Sequence, residues 1–407
     1  MYQYKSIAKN KITKQIGWSW ISQITLGICS IIVIPKVIVG IGINNYALYA
    51  SQNALSVIFS LFIDFGISNI IARTHALETN DKRKNEIVGV YISSKIFMAL
   101  IFYMPMYLVM QYLPSEKPTH YLTMIMLFGC VSQALSPSWL YSNNNEVNLY
   151  SKIQLIIVII ITSFIIYKVQ DENDLNIYAT LIFTQHFLIT LFGWILQAHR
   201  NKIKFPLSLK SYKIIAKAST KQFGSSLALY FSTTVYVIIV EKYCSTLETA
   251  VFTLLEKLKQ TMLLPITSIS PVLFKYYVNR NIQVIRRIRE FLILISILVI
   301  IMWLAVGPEA IKWLGHEKLN LGIEFINTYV ILFSLGVYKI RTGYLGVVAL
   351  GYDSYQLIIQ ILFGVIGVIL GIYFAKSYGI LGILYVFIAT EFLQCLFFDL
   401  KIRLQKN

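Results

Sequence analysis

The sequence predicts an all-α, polytopic membrane protein with about 12 transmembrane helices in two parallel, pseudo-symmetric six-helix lobes. Three observations carry that prediction. Of 407 residues, 57% are hydrophobic and only 14% charged, too little polar surface to cover the core of a soluble chain this long. Apolar runs of the roughly 20 residues needed to cross a bilayer follow one another with short gaps. A heptad near the start of the chain recurs half a chain later.

Hydropathy places the spans near 18–39, 46–71, 88–110, 120–140, 153–167, 177–197, 222–240, 248–274, 291–307, 323–349, 356–375 and 379–398. The first run, 17–39, is too long for a signal-peptide core and lacks a convincing cleavage site, so it reads as an uncleaved span. The fifth is short, and the tenth carries Lys339 and Arg341.

The formal charge is +17. Its distribution argues for membrane orientation rather than nucleic-acid binding, because the basic residues cluster between the apolar runs. Loops on the side of the termini hold 23 Lys/Arg, and the opposite loops hold only six. By the positive-inside rule both termini are cytoplasmic. Cys29, Cys130, Cys244 and Cys395 are scattered, with no metal or redox spacing.

Thr13-Lys14-Gln15-Ile16-Gly17-Trp18-Ser19 returns as Thr220-Lys221-Gln222-Phe223-Gly224-Ser225-Ser226, each copy opening a span. Six spans per half is an even number, so the halves enter the membrane in the same direction. The expected division is an N-terminal lobe at 1–197, a basic cytoplasmic linker at 198–218 and a C-terminal lobe at 219–407.

Polar residues follow helical spacing. The second span carries Gln52, Ser56, Ser60, Asp64 and Ser68; the eighth carries Thr249, Thr253, Glu256, Gln260 and Thr267. With Ser19, Gln23 and Ser30 of the first span and Ser226, Tyr230 and Thr233 of the seventh, they are expected to line a hydrated central cavity. Interhelical hydrogen bonding is the bland alternative. Ionisable groups at membrane depth are costly and call for a role; for Asp64 and Glu256 the alternative is an internal ion pair with a nearby Lys. Candidate substrate-binding cations are Lys36, Arg73, Lys95, Lys257, Lys259, Lys339 and Arg341; snorkelling explains Lys36 adequately. Asp64, Glu256 and Glu391 are candidate ion-coupling carboxylates, and His186 is a candidate proton relay. More basic than acidic residues suits an anionic headgroup such as a diphosphate.

Enzyme signatures are missing: no GxSxG, HExxH, phosphate loop or nucleotide-binding motif occurs, so no catalytic residue, metal ligand or cofactor is assigned.

Four local patterns resemble the Wzx-type polysaccharide flippases of the MATE-like superfamily. They are Pro35 with Gly40 and Tyr46-Ala47-Leu48-Tyr49; Asp64-Phe65-Gly66-Ile67-Ser68 with Ala72-Arg73; Pro137-Ser138-Trp139-Leu140-Tyr141; and Leu255-Glu256-Lys257-Leu258 with Pro265 and Pro271. The run Ser142-Asn143-Asn144-Asn145-Glu146 departs from the family's Gln-Gly-acidic continuation, so no role is carried onto it. The resemblance implies a cationic central cavity and alternating access. It also implies an undecaprenyl-diphosphate-linked oligosaccharide repeat unit as cargo, moved to the outer leaflet for O-antigen or capsule synthesis. Membrane lipids, a polysaccharide polymerase and chain-length machinery are the expected partners, and nucleic acid is not. The rival readings are a multidrug or small-solute exporter of the same superfamily, a membrane-embedded glycan polymerase or ligase, and a structural membrane protein.

Overall fold

The computed structural model describes residues 2–114, 117–144, 146–200, 209–231, 233–278, 290, 293–294, 296–298, 300–301, 303–305, 309, 325–348 and 350–404. Residues 201–208, within the expected linker, and most of 308–322 lie outside the described residues, as does most of 275–290. What is described is helical, without a strand.

The N-terminal helices are α1 (Tyr2–Asp64), α2 (Ile67–Leu77), α3 (Asp81–Tyr112), α4 (His120–Ala134), α5 (Ser138–Asn143), α6 (Val147–Lys168) and α7 (Leu175–Arg200). They are followed by α8 (Leu209–Phe231), α9 (Val235–Tyr243), α10 (Thr246–Val278), α11 (Ile326–Lys339) and α12 (Asp353–Arg403), with a π-helical segment Ile340–Val348 between the last two.

Six helices are long and apolar enough to cross a membrane. Two of them, Ile21–Asp64 with 44 residues and Ser354–Arg403 with 50, are about twice the length of one crossing. Each is broken near its middle, at Gly42 and at Gly379. Gly379 holds φ 58° and ψ −143°, a conformation essentially confined to glycine. Just beyond it Gly382 abuts the carbonyl of Phe374, an approach that only a reversal of the chain allows. The two long helices are therefore four spans. With α4, α8–α9, α10 and the apolar stretch Ser296–Ala305, the total is the twelve expected.

Two compact units organise the chain: Met1–Leu26 with Ser51–Leu227, and Gly27–Ala50 with Ala228–Asn407. Within the first, α4 and α6 pack on α7, α3 on α4, and α2 on α3. Within the second, α12 packs on α9, α11 and the π-helical segment, and α10 packs on α9 and α11. Large aliphatic and aromatic side chains such as Leu100, Phe97, Ile358 and Ile369 are exposed, as lipid-facing positions must be.

Candidate functional site

In the first unit the chemistry gathers where helices break. α4 ends at Ala134, Pro137 prevents its continuation, and α5 restarts at Ser138. A break inside a bilayer leaves carbonyls without helical partners, and each needs another donor. Neighbouring helices supply them. Thr190 Oγ1 donates to Ser132 O (2.8 Å), Trp194 Nε1 to Leu135 O (2.8 Å), and Tyr91 Oη to Ser136 O (2.8 Å). Lys95 Nζ donates to Ala134 O.

Lys95 is 1% exposed and reaches further, to Asp64 Oδ1 (2.8 Å), Ser68 Oγ (2.9 Å) and Tyr91 Oη (2.7 Å). Ser68 Oγ also donates to Asp64 Oδ1 at 2.5 Å. One ammonium thus ties the end of α1, the start of α2 and the end of α4 to α3. Its charge is desolvated but matched by the Asp64 carboxylate.

Between Asp64 and Ile67 the backbone turns left-handed at two successive residues, Phe65 (φ 46°) and Gly66 (φ 71°). A bulky residue there is a genuine outlier, so its surroundings must hold it in place. The Phe65 ring stacks on Phe223 of α8, centroids 4.5 Å apart. A side chain on Gly66 would meet Gln222 Cβ, Phe223 N and Ser219 O at 2.9 Å each. The Asp-Phe-Gly motif is therefore docked on the second copy of the repeated heptad.

The second unit holds the other carboxylates. Glu256 Oε1 lies 2.6 Å from Lys259 Nζ on α10, and Glu391 Oε1 of α12 lies 2.7 Å from Lys339 Nζ at the end of α11. All four side chains are largely buried. Lys259 Nζ also sits over the Phe387 ring, 4.3 Å from its centroid, one helical turn from Glu391. Tyr236 also packs against Phe387, with ring centroids 4.7 Å apart, and shares a 3.2 Å hydrogen bond with Thr390.

Each predicted coupling carboxylate is thus paired with a predicted substrate-binding lysine. These are internal ion pairs with a nearby lysine, the alternative the sequence leaves open for such groups; the cost of isolating an ion at membrane depth is the physical reason. The remaining cations have no carboxylate partner among the described residues. Lys36 and Lys257 are half-buried, and Arg73 is exposed on α2. Arg341 is half-buried on the π-helical segment, its guanidinium 5.2 Å from the Tyr338 ring centroid.

In the polar stripe of the second span, two residues make the interhelical hydrogen bonds that are the alternative to cavity lining. Gln52 and Ser56 are buried and donate to Met110 O (2.8 Å) and Met126 O (3.3 Å), while Ser60 donates to Val57 O (2.7 Å). Gln52 and Ser56 thus satisfy carbonyls of neighbouring helices, and half-buried Ser60 one of its own helix.

A cavity of about 540 Å³ does exist, inside the first unit. Its wall is formed by the α4–α5 break and α5, the first turns of α6, the middle of α7, and Gln23 and Leu26 of α1. Four glutamines, Gln23, Gln133, Gln154 and Gln185, face it together with His186. Among the described residues, no Asp, Glu, Lys or Arg borders it. Of this wall the sequence by itself points only to Gln23 and His186. The other amides sit one per helix, with no periodic stripe to betray them, and only the fold brings them together.

The sequence profile of the polysaccharide biosynthesis protein family matches residues 12–277. The chain belongs to that family. The fold agrees with solved membrane transporters. The lipid II flippase MurJ, in an inward closed conformation, superposes with a TM-score of 0.73 at 15% identity, over 95% of this chain and 86% of that one. A multidrug resistance MATE family transporter gives 0.62 at 15% identity in its inward-facing conformation, over 95% of both chains. An outward-facing MATE structure gives 0.61 at 14%, over 96% and 95%. No protein of curated function matches the sequence. At such identities the superpositions establish the twelve-helix fold; the family match places that fold in polysaccharide biosynthesis.

Proposed function

We propose that this protein is a flippase for an undecaprenyl-diphosphate-linked oligosaccharide repeat unit, moved from the cytoplasmic to the outer leaflet of the bacterial inner membrane. The observation that carries the reading is membership of the polysaccharide biosynthesis family by a chain built almost entirely of membrane-spanning helices. Such a protein serves glycan assembly within the bilayer, where the saccharide intermediate is the lipid-linked one. Its sugar needs a polar route, and its polyprenyl tail can stay in lipid.

In this reading both termini are cytoplasmic, and the halves 1–197 and 219–407, joined by 198–218, rock against each other in alternating access. Arg341, Lys257, Lys36 and Arg73, free of carboxylate partners among the described residues, meet the diphosphate; Arg341 does so through its planar fork. Asp64, Glu256 and Glu391 couple transport to ions. Protonating one of them releases its lysine, which makes each pair a two-state element. A polymerase and chain-length machinery act on the delivered product, for O-antigen or capsule synthesis.

The deciding experiment is proteoliposome flipping of a fluorescent prenyl-diphosphate oligosaccharide, read by quencher access to the outer leaflet, with protein depletion in cells as its complement. Protein-dependent flipping and accumulation of inward-facing lipid-linked glycan are expected. Unchanged surface glycan after depletion, with export of cationic drugs by the purified protein, would replace this reading by the multidrug exporter.

A further inference from the structure

The cavity of the first unit differs in chemistry from the cationic candidates. Its volume, about 540 Å³, lies within the range of roughly 300 to 1,000 Å³ usual for small-molecule sites. Gln23, Gln133, Gln154, Gln185 and His186 turn side-chain donors and acceptors toward it and have no hydrogen-bond partner among the described residues. Ser138, Ser142 and Ser151 add hydroxyls that are equally uncommitted. Ser151 is buried, Gln23, Gln154, Gln185 and His186 are half-buried, and Gln133, Ser138 and Ser142 are exposed toward the space. A few polar groups converging on one concave space, uncommitted to the protein, are what fixes the orientation of a polar ligand.

Two tyrosines complete the wall. Tyr141 and Tyr150 have ring centroids 4.9 Å apart, and their hydroxyls are already engaged by Gly193 O (2.8 Å) and Ser136 Oγ (2.7 Å). The rings are thereby fixed and packed, 0% and 5% exposed, and form a rigid backing to the amides. Donor and acceptor amides on a rigid backing, with no formal charge among the described residues, match the hydroxyls of an uncharged sugar ring. A diphosphate or a carboxylated sugar would find no cation among the described lining residues to offset its desolvation. The non-helical backbone at Leu135–Pro137 is also where a membrane protein tolerates a break, because it borders a polar cavity and its carbonyls are capped from behind.

We infer that this cavity, inside the first unit, is a subsite for an uncharged sugar residue of the lipid-linked substrate, read by Gln154 and Gln185. The inference rests on the flippase reading and names the part of the substrate that the first unit recognises. It separates sugar recognition from diphosphate binding.

The test is equilibrium binding to the purified full-length protein of three short-chain prenyl diphosphates: bare, carrying an uncharged N-acetylhexosamine, and carrying a hexuronic acid. In the wild type the uncharged sugar is expected to strengthen binding over the bare compound by about tenfold or more, the equivalent of one or two hydrogen bonds. The hexuronic acid should give no gain. Gln154→Leu with Gln185→Leu should abolish the gain while the bare compound binds as before, which also reports a folded protein. The milder Gln154→Asn should lose part of it. An undiminished gain in the double variant, or equal preference for the acidic sugar, overturns the subsite and leaves the flippase reading standing. Failure of all three compounds to bind the wild type overturns both.

Discussion

Lys339 Nζ lies 2.7 Å from Glu391 Oε1, across 52 residues of sequence and between two helices of the same unit. Neither partner can be changed without stranding the other. Lys339→Gln should cost about 3–5 kcal/mol by leaving Glu391 uncompensated, and Glu391→Gln should do the same to the lysine. The double replacement should recover most of that loss. Thermal unfolding in detergent of the two single variants and the double variant closes the cycle. Additive losses would show that the pair is not energetically coupled. A transport defect in Lys339→Gln alone therefore says nothing about substrate binding, and any such claim must be made in the charge-neutral double variant.

Arg341 has no carboxylate partner among the described residues, and its removal strands nothing. Arg341→Gln should lower flipping about tenfold or more and leave the unfolding temperature close to that of the wild type, if the guanidinium meets the diphosphate through charge-assisted hydrogen bonds. Arg341→Lys should restore only part of the rate, because an ammonium lacks the fork. Wild-type flipping in Arg341→Gln would remove this residue from the substrate path. A large fall in unfolding temperature would make it structural, held for its contact with Tyr338.

Most of the fold was legible in the sequence because lipid leaves so few alternatives: twelve apolar runs can only be helices. Joining two pairs of them through Gly42 and Gly379 was not, since a short loop and a single left-handed glycine look alike in hydropathy. Of the site, the charged residues stood out one by one at membrane depth. Their pairing did not, because Glu391 and Lys339, or Asp64 and Lys95, are neighbours only after packing. The uncharged cavity was the least visible part. Gln133, Gln154 and Gln185 are ordinary interhelical residues until the break at Pro137 opens a space for them.

His75 ends α2, beyond the apolar span Ile21–Asp64, and gives a pH signature. Its ring is buried edge-on to Trp139, with centroids 5.4 Å apart, and Nδ1 lies 3.4 Å from Asn143 Nδ2. Burial, with the nearby Lys84 charge, holds its pKa below the ordinary 6.5. The folded protein therefore binds this proton less readily than the unfolded chain. Above the ordinary value both states are neutral and stability does not depend on this group; as the pH falls below it, the unfolded state is protonated first and stability declines until the native ring titrates as well. Unfolding temperatures measured through that acidic window should fall less steeply in His75→Gln than in the wild type. Parallel curves would show that protonated His75 is accommodated in the fold.

Gly66 provides the sharpest steric test. Its φ of 71° already disfavours any side chain, by about 1–2 kcal/mol for alanine. A Cβ would in addition stand 2.9 Å from Ser219 O and Phe223 N, two backbone atoms of α8 that cannot swing aside. Gly351 is the natural control: its φ is 86°, and nothing lies within 4 Å of the place an added methyl group would take. Gly351→Ala should show the conformational cost alone. Gly66→Ala should show that cost plus the loss of the close approach between the Asp-Phe-Gly turn and the repeated heptad, with the neighbouring Phe65–Phe223 stack and the Lys95–Asp64 bond disturbed. Its unfolding temperature should fall clearly further than that of Gly351→Ala, and its flipping rate should fall with it. Equal effects at the two glycines would mean that α8 yields to the added methyl group, so that the turn is not held rigidly against it.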